Sequence, residues 1–153
     1  MSGKILLTGI SGWIAKHTAI ELLNSGYEVL GTVRNKNLIE QTKETISKYA
    51  SIDKLSFVEL DLVKDDGWDE AAKGCKYIFH IASPFPMKVS RNRERLLPPA
   101  VDGTLRVLKA GVNAGVEQII KTSSIVAMFR KPNRSNPYTC LLYTSPSPRD
   151  MSA

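Results

Sequence analysis

Apolar residues gather in five short runs, separated by longer stretches in which they recur every three to four positions. The runs occupy residues 4–8, 27–33, 55–60, 77–82 and 117–122, each the length of a β-strand. Between the first two, Ala15, Ala19, Leu22 and Leu23 fall at i, i+4, i+7 and i+8, an apolar stripe able to lie on a sheet. Asn24-Ser25-Gly26 stops that helix, glycine being suited to the left-handed position past a helix end. Ahead of the last run, Val101, Leu105, Leu108 and Val112 repeat the helical spacing, with Pro98 and Pro99 where a helix starts and Gly115 where it ends. Residues 38–49 and 68–73 read as two further helices, the second closed by Gly74, and Trp13 and Trp68 are expected to pack helices onto the sheet. Strands alternating with helices in this way predict an α/β fold with a doubly wound parallel sheet. A sheet built from two βαβαβ halves extends to a sixth strand. The pattern here is truncated after about five.

Composition narrows the class. At 153 residues, 42% hydrophobic and 24% charged, the chain reads as one globular domain, not as collagen, a coiled coil or a disordered polymer. Two cysteines, Cys75 and Cys140, are too few for a disulfide scaffold and suit a reducing, cytoplasmic compartment. The longest uncharged run, residues 135–148, is interrupted by three prolines, so no bilayer span is expected, and no signal-type apolar segment precedes the first strand. Lys+Arg exceed Asp+Glu by 21 to 15, a net charge of +6, but neither interleaved aromatics nor a reader motif points to nucleic acid. Lys88, Arg91, Arg93, Arg95 and Arg106 outnumber Glu94 and Asp102 ahead of and within the last helix, either as a solvated face or as a patch for an anionic substrate. With His17 and His80 the only histidines, there is no metal-ligand set; His80 reads as a packed strand residue and Cys75 as a small buried hydrophobe.

The composition shifts after Phe129, with four of the eight prolines, Pro132, Pro137, Pro146 and Pro148, in the last 24 residues. Residues 140–150, CLLYTSPSPRD, read as an in-frame translation of a sequencing adapter, which divides the chain into an incomplete domain over 1–139 and an artefactual or disordered tail over 140–153.

The candidate chemistry begins at Thr8-Gly-Ile-Ser-Gly-Trp-Ile-Ala15, where the first strand feeds the first helix. Gly9 permits a tight turn, Gly12 lets backbone approach a pyrophosphate, and Ala15 allows close helix–strand packing. The unpaired N–H groups of the helix start, around Ser11, Trp13 and Ile14, face any phosphate held there. Some twenty residues on, where an NAD site places an acid for the ribose 2′-hydroxyl, stands Arg34, with Lys36 close by. That favours NADP, whose 2′-phosphate an arginine receives, over NAD; the alternative is a solvated basic turn. Asp61 and Leu62, past the third strand, are placed to meet an adenine or to cap a turn. Ala82 and Ser83 end the fourth strand on the ligand side of the sheet, small enough for a cofactor to lie close.

These pieces, with Gly31-Thr-Val-Arg34, Phe79-His-Ile-Ala-Ser-Pro84, Pro99-Ala-Val-Asp-Gly-Thr-Leu-Arg-Val-Leu108 and Lys121-Thr-Ser-Ser124, resemble the extended short-chain dehydrogenase/reductases of the dihydroflavonol reductase and cinnamoyl-CoA reductase type, in family order over residues 4 to about 128. The resemblance implies a Rossmann-type fold, NADP contacts at Gly9, Gly12, Ile14, Arg34, Asp61 and Ala82, and Thr122 on the nicotinamide side. It implies a catalytic serine at Ser124 that hydrogen-bonds a small-molecule carbonyl while a tyrosine moves the proton and a lysine four residues later assists. None of the five tyrosines is followed by lysine at the fourth position, so the fragment is expected to be inactive. A nucleotide-sugar epimerase or dehydratase fragment and a non-catalytic NADP-sensing protein are the alternatives.

Overall fold

The computed structural model describes residues 3–83 and 98–123 of the chain. Ser124, the cationic residues Lys88, Arg91, Arg93 and Arg95, and the 140–153 tail lie outside the described residues.

Five strands, β1 (Lys4–Thr8), β2 (Glu28–Val33), β3 (Leu55–Glu59), β4 (Cys75–His80) and β5 (Gln118–Lys121), form one sheet in the order β3-β2-β1-β4-β5. Every pairing is parallel. The connecting helices are α1 (Trp13–Asn24), α2 (Ile39–Ser47, entered through a 3₁₀ turn at Lys36–Leu38), α3 (Trp68–Ala72) and α4 (Gly103–Ala114, entered through a π turn at Pro98–Asp102). The fourth strand begins two residues earlier than the apolar run indicated, because Cys75 already pairs with Lys4 of β1, Lys76 being the extra residue where the register shifts before Tyr77 meets Ile5.

Successive strand residues point to opposite faces, and each face is covered. Leu7, Val29 and Val33 pack under Ala15, Ala19, Ile20 and Leu23 of α1 and Ile46 of α2. On the other face, Leu6 and Ile78 pack under Trp68, Ala71 and Ala72 of α3 and Val107 and Ala110 of α4. Leu6, Leu7, Ile78 and Val107 are fully buried, each contributing about 1.5–3 kcal/mol. Two helices per face make the sheet doubly wound.

Two helix faces differ from the spacing argument. In α1 the buried set includes Ile20, and Leu22 is only half-buried. Around α4 the difference is larger: Val101 in the entering turn and Leu105 and Val112 in the helix are exposed, and the buried face is Gly103, Val107, Ala110 and Gly111. The cause is distance of approach. A Cβ on Gly111 would stand 2.6 Å from Ile119 Cδ1 and 3.0 Å from Ile78 Cδ1, and one on Gly103 would stand 2.8 Å from Leu62 Cβ. The helix therefore lies closer to the sheet than a leucine face permits, and its bulkier apolar residues turn outward. Trp13 is likewise not a packing residue: it is 77% exposed, its ring edge-on to His17 at 4.8 Å between centroids, whereas Trp68 is buried as expected. Arg106 does not belong to a free cationic patch, since its guanidinium binds the Asp65 carboxylate and the Leu62 carbonyl.

Candidate active site: the cleft at the glycine turn

The chain crosses from one side of β1 to the other between β3 and β4, so β1 and β4 diverge into different loops at their carboxyl ends and leave a crevice. Its floor is the turn after β1. Gly9 adopts φ +70°, and a Cβ there would lie 3.0 Å from Ala82 Cβ, so the position both requires the left-handed region and admits no side chain. The turn is pinned on its far side by β2: Gly9 N–H donates to Thr32 Oγ1 (3.0 Å) and Ile10 N–H to the Thr32 carbonyl (3.1 Å). Gly12 N–H returns to the Gly9 carbonyl at 2.9 Å and Gly12 itself caps α1.

That cap is the chemically informative feature. No side chain accepts from the first N–H groups of α1, and its first turn carries no acid. Helix-start donors left without a partner are completed by an anion, which the positive end of the helix dipole also favours. The geometry fits a pyrophosphate: a turn without side chains, uncapped donors and a small residue, Ala82, opposite.

A cleft of about 1000 Å³ extends from this turn along the strand ends. It brings together ten of the residues singled out from the sequence: Gly9, Ser11, Gly12, Trp13, Ile14, Arg34, Asp61, Leu62, Ala82 and Ser83. Thr122 is exposed immediately after β5. Arg34 follows β2 directly and is exposed, and no carboxylate among the described residues lies within salt-bridge distance of it. Lys36 instead pairs with Glu59 at 3.6 Å. Asp61 is partly committed to local structure: Oδ1 accepts from Val63 N–H at 3.2 Å, and its carbonyl accepts from the Trp68 indole at 3.2 Å.

Residues to which the sequence reading gave no role complete the site. Thr8 Oγ1 accepts the N–H groups of Ile81 (3.1 Å) and Ala82 (3.0 Å), tying β4's exit to β1, and approaches His80 Nδ1 at 2.9 Å. Thr32 holds the turn, and Leu38 and Val63 add apolar lining. A threonine as the last residue of β1 and as the last but one of β2 is the sequence signal that marks them. Burial, with Lys121 opposite, pushes the His80 imidazole down to about 4. Burial pushes the Cys75 thiol up, and its Sγ donates to the Ala71 carbonyl at 3.3 Å.

A parallel sheet ordered 3-2-1-4-5 with a glycine turn feeding a helix at its switch point is a Rossmann-type, NAD(P)-binding architecture. The chain belongs to the NAD dependent epimerase/dehydratase family, whose profile matches residues 5–151. It is 36% identical over 123 residues to tetraketide alpha-pyrone reductase 1 of Arabidopsis thaliana, covering 80% of this chain and 38% of that relative. Against cinnamoyl-CoA reductase 1 of Petunia hybrida it is 36% identical over 135 residues, covering 88% and 39%. Among solved structures it resembles yeast methylglyoxal/isovaleraldehyde reductase Gre2 complexed with NADPH, at TM-score 0.72 and 30% identity over 82% of this chain and 38% of that one. Vestitone reductase from alfalfa aligns at TM-score 0.67 and 34% identity, over 84% and 38%. The chain thus spans about two fifths of the length of these relatives. No helix among the described residues is long and apolar enough to cross a membrane.

Proposed function

We propose that this chain is the NADP-binding portion of a cytoplasmic oxidoreductase that reduces a small-molecule carbonyl by hydride transfer. The observation that carries the reading is the cleft itself: an uncapped α1 start over a side-chain-free turn, with Arg34 at the end of β2. The turn and helix donors hold the pyrophosphate, Arg34 receives the 2′-phosphate through charge-assisted hydrogen bonds, and the Asp61–Leu62 backbone borders the adenine. The bound nicotinamide supplies the hydride. The relatives' names, reductases of a pyrone, a CoA thioester and small aldehydes, support a carbonyl substrate. An acid at the end of β2, which a nucleotide-sugar enzyme using NAD employs, is absent from this sequence.

Calorimetric or fluorescence titration tests the assignment. NADP binds more tightly than NAD, and Arg34→Ala lowers NADP affinity about tenfold or more while leaving NAD unchanged. Equal affinities for the two dinucleotides in the unaltered chain remove the case for NADP. Ser124 is the residue we assign to the substrate carbonyl. Lacking Tyr-x-x-x-Lys, the chain has no proton donor for the developing oxyanion, and NADPH-linked carbonyl reduction is expected to be undetectable. Robust turnover by the purified chain would refute that assignment.

A further inference from the structure

We propose that His80 is a positioning residue, held as the neutral Nε2–H tautomer, which links the glycine turn to the first turn of α4 through a one-directional hydrogen-bond chain and thereby sets the cleft wall at Ala82. The proposal rests on the dinucleotide reading of the cleft for its binding consequence, and on geometry alone for the tautomer.

His80 is the last residue of β4, 2% exposed, with a hydroxyl at each ring nitrogen. Nδ1 meets Thr8 Oγ1 at 2.9 Å and Nε2 meets Thr104 Oγ1 at 3.4 Å. A hydroxyl has one proton and two acceptor pairs. Both pairs of Thr8 are engaged by the N–H groups of Ile81 and Ala82, so toward the ring Thr8 is left only its proton, and Nδ1 must accept it. The ring proton therefore sits on Nε2 and is donated to Thr104 Oγ1. Thr104 passes its own proton to the Ala100 carbonyl at 2.7 Å. Each group has one assignable role, and the chain runs Thr8 to His80 to Thr104 to Ala100.

An imidazolium does not fit this chain. It would present N–H at Nδ1 against a hydroxyl whose acceptor pairs are already used. The charged group opposite it is Lys121, its register partner on β5, which further opposes a positive ring. Thr8 and Thr104, the groups that β1 and α4 turn toward the ring, carry no charge.

The site gains from this because Ala82 is held by the same Thr8 oxygen. Its Cβ lies 3.0 Å from where a Cβ of Gly9 would be, so the turn and the β4 exit are in contact and a shift of a few tenths of an ångström in one is transmitted to the other. The Thr104 bond carries that registration to the helix start. An apolar residue at position 80 would pack between the faces equally well but would leave Thr8 with a buried proton and no acceptor.

Two measurements on the whole chain test this separately. Nitrogen-15 NMR of histidine-labelled protein is expected to show His80 Nδ1 unprotonated and Nε2 protonated, without titration between about pH 5 and 8. A ring protonated on Nδ1, or one titrating near the ordinary histidine value, overturns the tautomer. His80→Leu is expected to weaken NADP binding about tenfold, and His80→Asn, whose amide oxygen reaches the Nδ1 position and accepts from Thr8, to restore most of it. Unaltered affinity in His80→Leu, or equal loss in both variants, overturns the positioning role. If the unaltered chain binds no NADP while the NMR result holds, the dinucleotide reading fails and the tautomer assignment stands.

Discussion

Gly31→Ala puts a methyl group into the one part of β2 that the glycine turn occupies. A Cβ at that position would lie 2.5 Å from Ile10 Cδ1, 2.7 Å from Cγ2 and 2.9 Å from Cβ. A rotamer change of Ile10 relocates the first two atoms but not the third, and Ile10 is fully buried with its N–H tied to the Thr32 carbonyl at 3.1 Å. Relief therefore requires the turn backbone to move. Overpacking of this kind costs about 1–3 kcal/mol, against a gain of about 0.5–1 kcal/mol for replacing glycine within a strand. The net expectation is a destabilisation of about 1–2 kcal/mol, read as a urea midpoint lowered by about 1 M. Because the displaced residue lies between Gly9 and Ser11, NADP affinity falls with it. Gly26→Ala is the control: its Cβ meets nothing within 4 Å, so its φ of +86° costs about 1 kcal/mol while the cleft is untouched and affinity is unchanged. Introducing Ile10→Ala into the Gly31→Ala background removes two of the three close contacts, and a double-mutant cycle is expected to show about 1 kcal/mol of coupling. Strict additivity, or a Gly31→Ala protein as stable as the parent, would show that the turn is not wedged against β2.

The depressed His80 value makes stability depend on pH. The unfolded ring takes up a proton near pH 6.5 and the folded one only near 4, so the contribution is complete above about 6.5 and is lost as pH falls toward 4, about 3 kcal/mol in all. Denaturant midpoints measured across that window in the parent and in His80→Asn test it, since the variant lacks this component of the slope. The outward phase of α4 predicts that Leu105→Ser and Val112→Ser change stability by less than about 0.5 kcal/mol. Val107→Ala on the same helix costs about 2 kcal/mol, and thermal melts of the three variants discriminate the two faces.

Local chemistry made most of the architecture legible. Alternation of strand-length runs with helical spacing depends on backbone geometry and on the need to cover two apolar sheet faces, both set by near neighbours in the chain; hence the five strands, the four helices and the turn at Gly9 to Ala15 are readable from residues alone. Ten candidate residues converge for the same reason: they sit at the carboxyl ends of parallel strands, which the topology gathers on one edge. What local chemistry does not encode is how closely two elements approach. The orientation of α4 follows from Gly103 and Gly111 meeting Leu62, Ile78 and Ile119, partners up to 41 residues away in sequence, and periodicity weighs the larger Leu105 and Val112 instead. Trp13 stands at the cleft mouth because α1 begins there, although its size marks it for a core. His80 carries no motif that names its partners; Thr8 and Thr104 lie 72 and 24 residues from it and meet it only when β1, β4 and α4 are assembled. Burial, tautomer and hydrogen-bond direction are properties of that assembly, because each depends on which groups the fold places within 3–4 Å of the ring after water has been removed.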